Sequence, residues 1–293
     1  MMNDSLKPLL ERAEALLNRL ENFLPTTPLP PNWENIYACR WRKRNQQGEL
    51  QAVYHPHDIR LSDLQGIDTQ KQQIDRNTQQ FIHHYPANNV LLWGSRGTGK
   101  SSLIKALLNE YATQGLRLIE VEKHDLVDLP DIVESLYNRP ERFIIFSDDL
   151  SFEKEDASYK ALKSVLDGSI SAPPHNVLIY ATSNRRHLLP EYMKENLEAT
   201  YTPEGEVHQG EAVEEKISLS ERFGLWLSFY PFKQDEYLDI VSYWLAHLGV
   251  TDLTNPAMRT AALQWALTRG SRSGRAAWQF ARDWAGQHGM SEK

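Results

Sequence analysis

The chain has 293 residues, 41% hydrophobic and 24% charged, an ordinary composition for a soluble globular protein of one large and one smaller domain, or two domains. Its 39 acidic and 32 basic residues give a net charge of −7, which excludes a wholesale basic nucleic-acid footprint but leaves room for a local patch. Cys39 is the single cysteine, which excludes an internal disulfide framework and points to a reducing compartment. The opening "MMNDSLKPLLERAEALL" lacks a signal-peptide core, and no run approaches the ~18 apolar residues of a spanning helix. A cytoplasmic protein without a membrane partner is expected.

In chain order, residues 5 to 24 read as an amphipathic helix. Leu6, Leu9, Ala13, Leu16, Leu20 and Phe23 step by threes and fours. "PTTPLPP" then reads as a stiff linker, so residues 1–31 form a helix-and-linker unit that docks either on a partner or on its own domain. Residues 32–60 suggest a small β element, a hairpin with "NQQG" as its loop. Its basic cluster Arg40, Arg42, Lys43 and Arg44 fits a solvated strand face better than a phosphate contact.

From residue 90 short apolar strands alternate with helical segments. "NVLLWG", "LRLIEVE", "RFIIFSDD" and "NVLIYATSN" read as strands, and "KSSLIKALLNEYATQG", "DIVESLYNR" and "DASYKALKSVLDG" as helices. The expected fold class is α/β, a parallel sheet with flanking helices over residues 61–232, whose ligand sites lie at the strand carboxyl ends. Residues 233–293 are expected to form a small all-α lid. Its three helices are Gln234 to Leu248, Pro256 to Thr268 and about Gly274 to Gln287, with Asn255 as an N-cap. Trp265, Trp278, Phe280 and Trp284 read there as core. Residues 195–218 are polar and acidic, and a loop of that size suggests contact with a partner or substrate. The pairs His55/His57 and His83/His84 are too isolated to suggest a metal site.

"GSRGTGKS", residues 94–101, fits the P-loop pattern G-x-x-x-x-G-K-[ST], between an apolar strand and an amphipathic helix. The candidate phosphate cradle is Gly94, Ser95, Arg96, Gly97, Thr98, Gly99, Lys100, Ser101 and Ser102. Its glycines let backbone N–H groups turn inward, and the helix dipole adds to their pull. Lys100 reaches toward the β- and γ-phosphates, and Ser101 toward Mg²⁺. Two carboxylates, Asp148 and Asp149, leave the end of the apolar strand "FIIFS", where burial is expensive without a counter-charge. Asp148 fits the Walker B position that helps hold Mg²⁺. Asp149 either orients the attacking water or caps the helix that follows.

The order of motifs from about Leu61 to Gln287 resembles an AAA+ P-loop ATPase. "LLWGSRGTGKSSLIKALLNEY", "FSDDLSFE", "VLIYATSNRRHLLPEYM", "LSERFGLWLSFYPF" and "GSRSGRAAWQF" are similar to a bacterial AAA+ family catalogued as a domain of unknown function. The resemblance implies an ATP- and Mg²⁺-dependent hydrolase in a homo-oligomeric ring or arc. It places Leu64, Gly66 and Ile67 in the adenine pocket. It gives Asn184 the sensor-one role, with an Asx turn as the alternative, and Arg222 the role of a finger inserted into a neighbour's site. Pairing of Arg222 with Glu221 or Glu215 is the alternative. Arg275 matches the sensor-two arginine, with Arg272 the other candidate. Most such proteins carry Glu where this chain has Asp149, one methylene shorter, so hydrolysis is expected to be slow unless the backbone compensates. Three functions fit: an ATPase remodelling or regulating a protein partner, a DNA-associated ATPase of helicase-loader or initiator type, and a P-loop small-molecule kinase. They rank in that order.

Overall fold

The computed structural model describes residues 30–44, 47–152, 156–168, 174–185, 200–201, 207–208 and 219–291, together with Arg12 and Glu14. Apart from Arg12 and Glu14, the expected helix over residues 5–24, most of the linker after it and most of the 195–218 stretch lie outside the described residues. Within that stretch are two short antiparallel strands, β7 (Thr200–Tyr201) and β8 (Val207–His208).

A seven-stranded sheet runs in the order β2-β1-β4-β5-β6-β3-β9. Its members are β1 (Ala38–Arg44), β2 (Gln47–Ala52), β3 (Val90–Gly94), β4 (Leu116–Glu120), β5 (Arg142–Ser147), β6 (Val177–Ser183) and β9 (Leu225–Phe229). All neighbours pair in parallel except β1 with β2. Parallel pairing needs crossovers, and the helices that supply them cover both faces, so the central strands are apolar on both sides. Val90 and Leu92, Ile144 and Phe146, and Leu178 and Tyr180 enter one core. The alternate residues Leu91, Phe143, Ile145, Ile179 and Ala181 enter the other.

The first core is roofed by α1 (Asp68–Ile82) and α2 (Lys100–Tyr111), the second by α3 (Leu129–Ser135) and α4 (Ala157–Asp167). Three helices follow the sheet: α5 (Gln234–His247), α6 (Pro256–Thr268) and α7 (Gly274–Ser291). They match the segments expected from periodicity, and Asn255 caps α6 by accepting from the N–H groups of Ala257 and Met258. Their buried residues Tyr237, Val241, Ala262, Ala277 and Phe280 join the first core, which is therefore continuous across the division expected at residue 232.

The 32–60 region differs from the sequence reading. The hairpin expected as a separate element over 32–60 is the edge of the main sheet, with β1 hydrogen-bonded to β4, and Gln47 and Gly48 lie in strand rather than loop. Three of its basic side chains are ion-paired: Arg40 to Glu120 at 2.7 Å, Arg42 to Glu122 at 2.5 Å and Lys43 to Asp128 at 2.9 Å. Arg117 buttresses this edge, donating to the carbonyls of Trp33, Ala112 and Leu116 at 2.5–2.8 Å. Among the described residues no helix is long and apolar enough to cross a membrane.

Cys39 lies under this edge, 1% exposed, and burial pushes its thiol from an ordinary value of 9.0 up to about 12. The folded chain thus keeps a proton that the unfolded chain releases above pH 9. This burial adds stability that is complete below pH 9 and is lost as pH rises toward 12. Iodoacetamide at pH 8 is expected to label Cys39 only as the protein unfolds, with the rate rising along a urea titration. Equal labelling of native and denatured protein would contradict this burial.

Candidate active site

The carboxyl ends of β3, β5 and β6 and the start of α2 meet at a cleft of about 1140 Å³. The P-loop between β3 and α2 forms its floor. At Gly94 φ is 127°, and a Cβ there would stand 2.0 Å from the Phe229 carbonyl oxygen, so only glycine lets β3 and β9 run this close. The Ser95 N–H continues the contact, donating to that same carbonyl at 2.9 Å. Arg96, Gly97, Thr98, Gly99, Lys100, Ser101 and Ser102 line the cleft. Gly94 and Ser95, expected in the cradle, do not. They act beneath it, where the Ser95 carbonyl accepts from Thr98 Oγ1 at 2.8 Å and from Lys100 Nζ at 2.7 Å.

Lys100 is 7% exposed. Its ammonium donates to the carbonyls of Gly94 at 2.8 Å and Ser95 at 2.7 Å and to Asn184 Oδ1 at 3.3 Å. Burial pushes its pKa down to about 8, Asp148 and Asp149 oppose that shift, and Arg275 and Arg96 add to it. An entering polyphosphate adds negative charge and favours the protonated form.

The paired acids sit where β5 ends. Asp148 Oδ1 accepts from Ser101 Oγ at 2.5 Å and from Thr182 Oγ1 at 2.5 Å. Thr182, on β6, also accepts from the Asp149 N–H at 2.9 Å, and its carbonyl accepts from the Leu150 N–H at 2.7 Å. Asp149 takes the left-handed backbone with φ 54°, which aspartate tolerates better than most residues. Its side chain accepts from Asn184 Nδ2 and faces Arg96 at 3.7 Å. Asp149 does not cap the following helix: Asp156 caps α4, accepting from the Ser158 N–H. Asn184 lies with the lysine and both acids.

Ser101 and Asp148 offer two hard oxygen donors 2.5 Å apart. Among the described residues no group of three or more His, Cys, Asp or Glu could hold a metal by itself. That donor set fits Mg²⁺, which prefers one or two protein oxygens with phosphates and water completing its shell. Ser101 and Asp148 would hold it, and the ion would neutralise charge on the phosphate oxygens.

A second wall comes from residues 57–65. Asn109 on α2 donates to the carbonyls of His57 and Ile59 at 2.7 Å, fixing this strip over the helix. Leu64 and Ile67 line the cleft as expected. Gly66 does not. Its φ of 74° turns the chain over Phe232, and Phe232 lines the cleft instead. The lid closes the third side: Gly274 and Arg275 rest on the P-loop, with the Arg275 N–H donating to the Gly97 carbonyl at 3.2 Å. Arg275, not Arg272, lines the cleft. Trp244, His247 and Trp278 also line it, the two indoles 4.6 Å apart, so the expectation of Trp278 as core is corrected.

Arg222 stands outside this cleft. It pairs with Asp167 at the end of α4. Sequence reasoning missed Thr182, the 57–60 strip and the lid aromatics. A threonine two residues before Asn184 on the neighbouring strand was the one available signal.

The sheet order, the P-loop after β3 and the acids at the end of β5, with β6 between the two strands, define an AAA+ P-loop fold. The Thermotoga maritima RuvB Holliday junction branch migration motor superposes with a TM-score of 0.50 at 16% identity, over 76% of this chain and 63% of that one. A mutant of that RuvB gives 0.52 at 14% identity. The 26S proteasome regulatory subunit 4 homolog of Schizosaccharomyces pombe is 30% identical over 103 residues, 30% of this chain and 23% of that protein. This chain thus spans less than two thirds of the RuvB length and less than a quarter of the proteasome subunit. Residues 34–288 match the family described as "Protein of unknown function (DUF815)", and the chain belongs to that family.

Thr182→Val keeps the shape but removes the hydroxyl that both donates to Asp148 and accepts from Asp149. A loss of about 1–3 kcal/mol in unfolding free energy is expected, as for a buried polar group left without its partner. Urea denaturation measures it, and an unchanged midpoint and slope would show that the hydroxyl does not brace the acids.

Proposed function

We propose that the protein binds ATP with Mg²⁺ in this cleft, hydrolyses it to ADP and phosphate, and couples the cycle to remodelling or regulating a protein partner within a homo-oligomer. The observation that carries the reading is the contact of Ser101 with Asp148 at 2.5 Å, beside a lysine ammonium and a second acid bridged by Asn184. These groups divide the work of phosphoryl transfer. The P-loop N–H groups and Lys100 hold the phosphates, and Asn184 and Asp149 are placed to orient a water. Leu64, Ile67 and Phe232 offer an apolar wall to the base.

Arg222 supports the oligomer. It lies outside its own cleft, paired with Asp167 at the end of α4, a position compatible with reaching a neighbour's site. An arginine supplied in trans stabilises charge on the transferring phosphoryl group and raises the rate by orders of magnitude in other NTPases. Arg275, carried by the lid, would register the phosphates and move with them. A protein partner is favoured over DNA because Arg40, Arg42 and Lys43, three of the four residues of the 40–44 basic cluster, are each matched by a carboxylate. The lid and the trans arginine also distinguish this reading from a small-molecule kinase.

Two measurements of phosphate release test the proposal. Asp149→Asn tolerates the same left-handed backbone, so it isolates the charge. It is expected to bind ATP and to lower kcat by on the order of a hundredfold, as general bases contribute. Mixing Arg222→Ala with Lys100→Ala protein, each nearly inactive alone, should restore turnover by pairing an intact P-loop with an intact arginine. Wild-type turnover in Asp149→Asn removes that residue's role, and absence of rescue removes the trans arginine.

A further inference from the structure

The P-loop carries a charge that its pattern does not require. Arg96 occupies a variable position of G-x-x-x-x-G-K-[ST], yet it lines the cleft and turns toward the acid at the end of β5. Its guanidinium lies 3.7 Å from Asp149 Oδ2, beyond hydrogen-bond range, so it is held beside the acid without being locked to it. Its side chain is 77% exposed, and Asp149's is 56% exposed. Arg117, which braces the sheet edge, is by contrast buried, with its donors on the carbonyls of Trp33, Ala112 and Leu116.

The other cations of the cleft are differently committed. Lys100 has three protons and three protein acceptors, two of them carbonyls of its own loop. Arg275 belongs to the lid, with its backbone bonded to Gly97. Arg222 lies outside the cleft. Arg96 is therefore the cation that the P-loop itself places next to the acid implicated in water activation. The second oxygen of that acid accepts from Asn184.

We propose that Arg96 is a catalytic residue acting in cis, releasing Asp149 to contact the γ-phosphate and stabilise the charge of its transfer within the same subunit. The proposal rests on the hydrolase reading above and adds a second arginine to it. In the step, a water oxygen forms a bond to the γ-phosphorus while the bond from that phosphorus to the β–γ bridging oxygen breaks. ADP departs with that electron pair, and the water proton passes to Asp149 and then to solvent. Arg96 bonds the equatorial oxygens of the transferred group, and leaving Asp149 frees that carboxylate to take the proton. The exchange also accounts for an aspartate in a place where one more methylene is usual. The left-handed backbone and the Asn184 contact fix the shorter acid, and the nearby guanidinium brings the phosphoryl group to it.

The test compares wild type, Arg96→Ala and Arg96→Lys, all exposed-site changes compatible with folding. Affinity for Mg²⁺–ADP in Arg96→Ala is expected within about fivefold of wild type, the most that an exposed charge contact contributes. Its kcat is expected to fall by on the order of tenfold to a hundredfold, the range of a hydrogen bond to a charged group, with partial recovery in Arg96→Lys. ADP with aluminium fluoride, which mimics the planar transferring group, should bind wild type more tightly than ADP alone, and Arg96→Ala should lose that advantage. Mixing Arg96→Ala with Lys100→Ala should restore nothing, unlike the Arg222 pair, because a cis residue cannot be lent. The proposal is overturned by unchanged kcat and fluoride-complex affinity, by loss of ADP together with ATP, or by rescue on mixing. Wild type that binds Mg²⁺–ATP without turnover would overturn the hydrolase reading, while the aluminium fluoride comparison would still decide the role of Arg96.

Discussion

Everything in this molecule is arranged around the charge of Asp148 where the buried strand β5 reaches its end. The strand is apolar on both faces because it lies near the middle of a parallel sheet, and Asp148, the residue after it, emerges exposed at the cleft rather than buried as its strand would suggest. Two hydroxyls hold the carboxylate there: Ser101 from the first turn of α2 and Thr182 from β6 converge on one oxygen. This contact ties the P-loop helix to the two neighbouring strands. It also marks the place where a divalent ion would replace neutral donors with a full counter-charge.

From that point the architecture follows. Gly94 lets β9 come against β3, and Phe229 at the end of β9 receives the P-loop's first N–H. Phe232, three residues further on, enters the cleft and bonds through its N–H to the Arg272 carbonyl, which hands the chain to the lid. The lid is fastened on the opposite side by Tyr243, whose hydroxyl donates to Asp63 at 2.7 Å. Floor, wall and lid are thus joined by hydrogen bonds around an open cleft, and Leu64, Ile67, Phe232 and Ile240 carry the shared apolar core up to its lining.

The motif strands and their helices could be read from residues because pattern and physics agree there. β3, β5 and β6 are short apolar runs, and α2 and α5 carry regular apolar stripes. The helix Asp68–Ile82 escaped that reading because "DTQKQQIDRNTQQFI" has only three large apolar residues. It buries Asn77 and Thr78 instead, satisfied by the Tyr180 hydroxyl at 3.0 and 2.9 Å. Periodicity of apolar residues cannot reveal a polar face that folding has paired. β9 was missed for a different reason: "LWLSF" follows "RFG" without a helix of its own, and its place beside β3 is set by Gly94, far off in sequence. In the site, the P-loop and both acids were legible because their chemistry requires a fixed spacing. Thr182 and the 57–60 strip were not, since they reach the cleft only through strand pairing and through Asn109. The partner of Arg222 was equally hidden, because Asp167 stands 55 residues away.

The account therefore turns on whether a metal-bearing triphosphate is the counter-charge these acids await. The most direct measurement is calorimetric titration of ATP into the protein with Mg²⁺ and again with the ion chelated, repeated on Asp148→Asn. Association that strengthens markedly with Mg²⁺ in wild type, with that dependence lost in the variant, is the predicted result. Equal affinity with and without the ion, or no heat of association in either case, would contradict it.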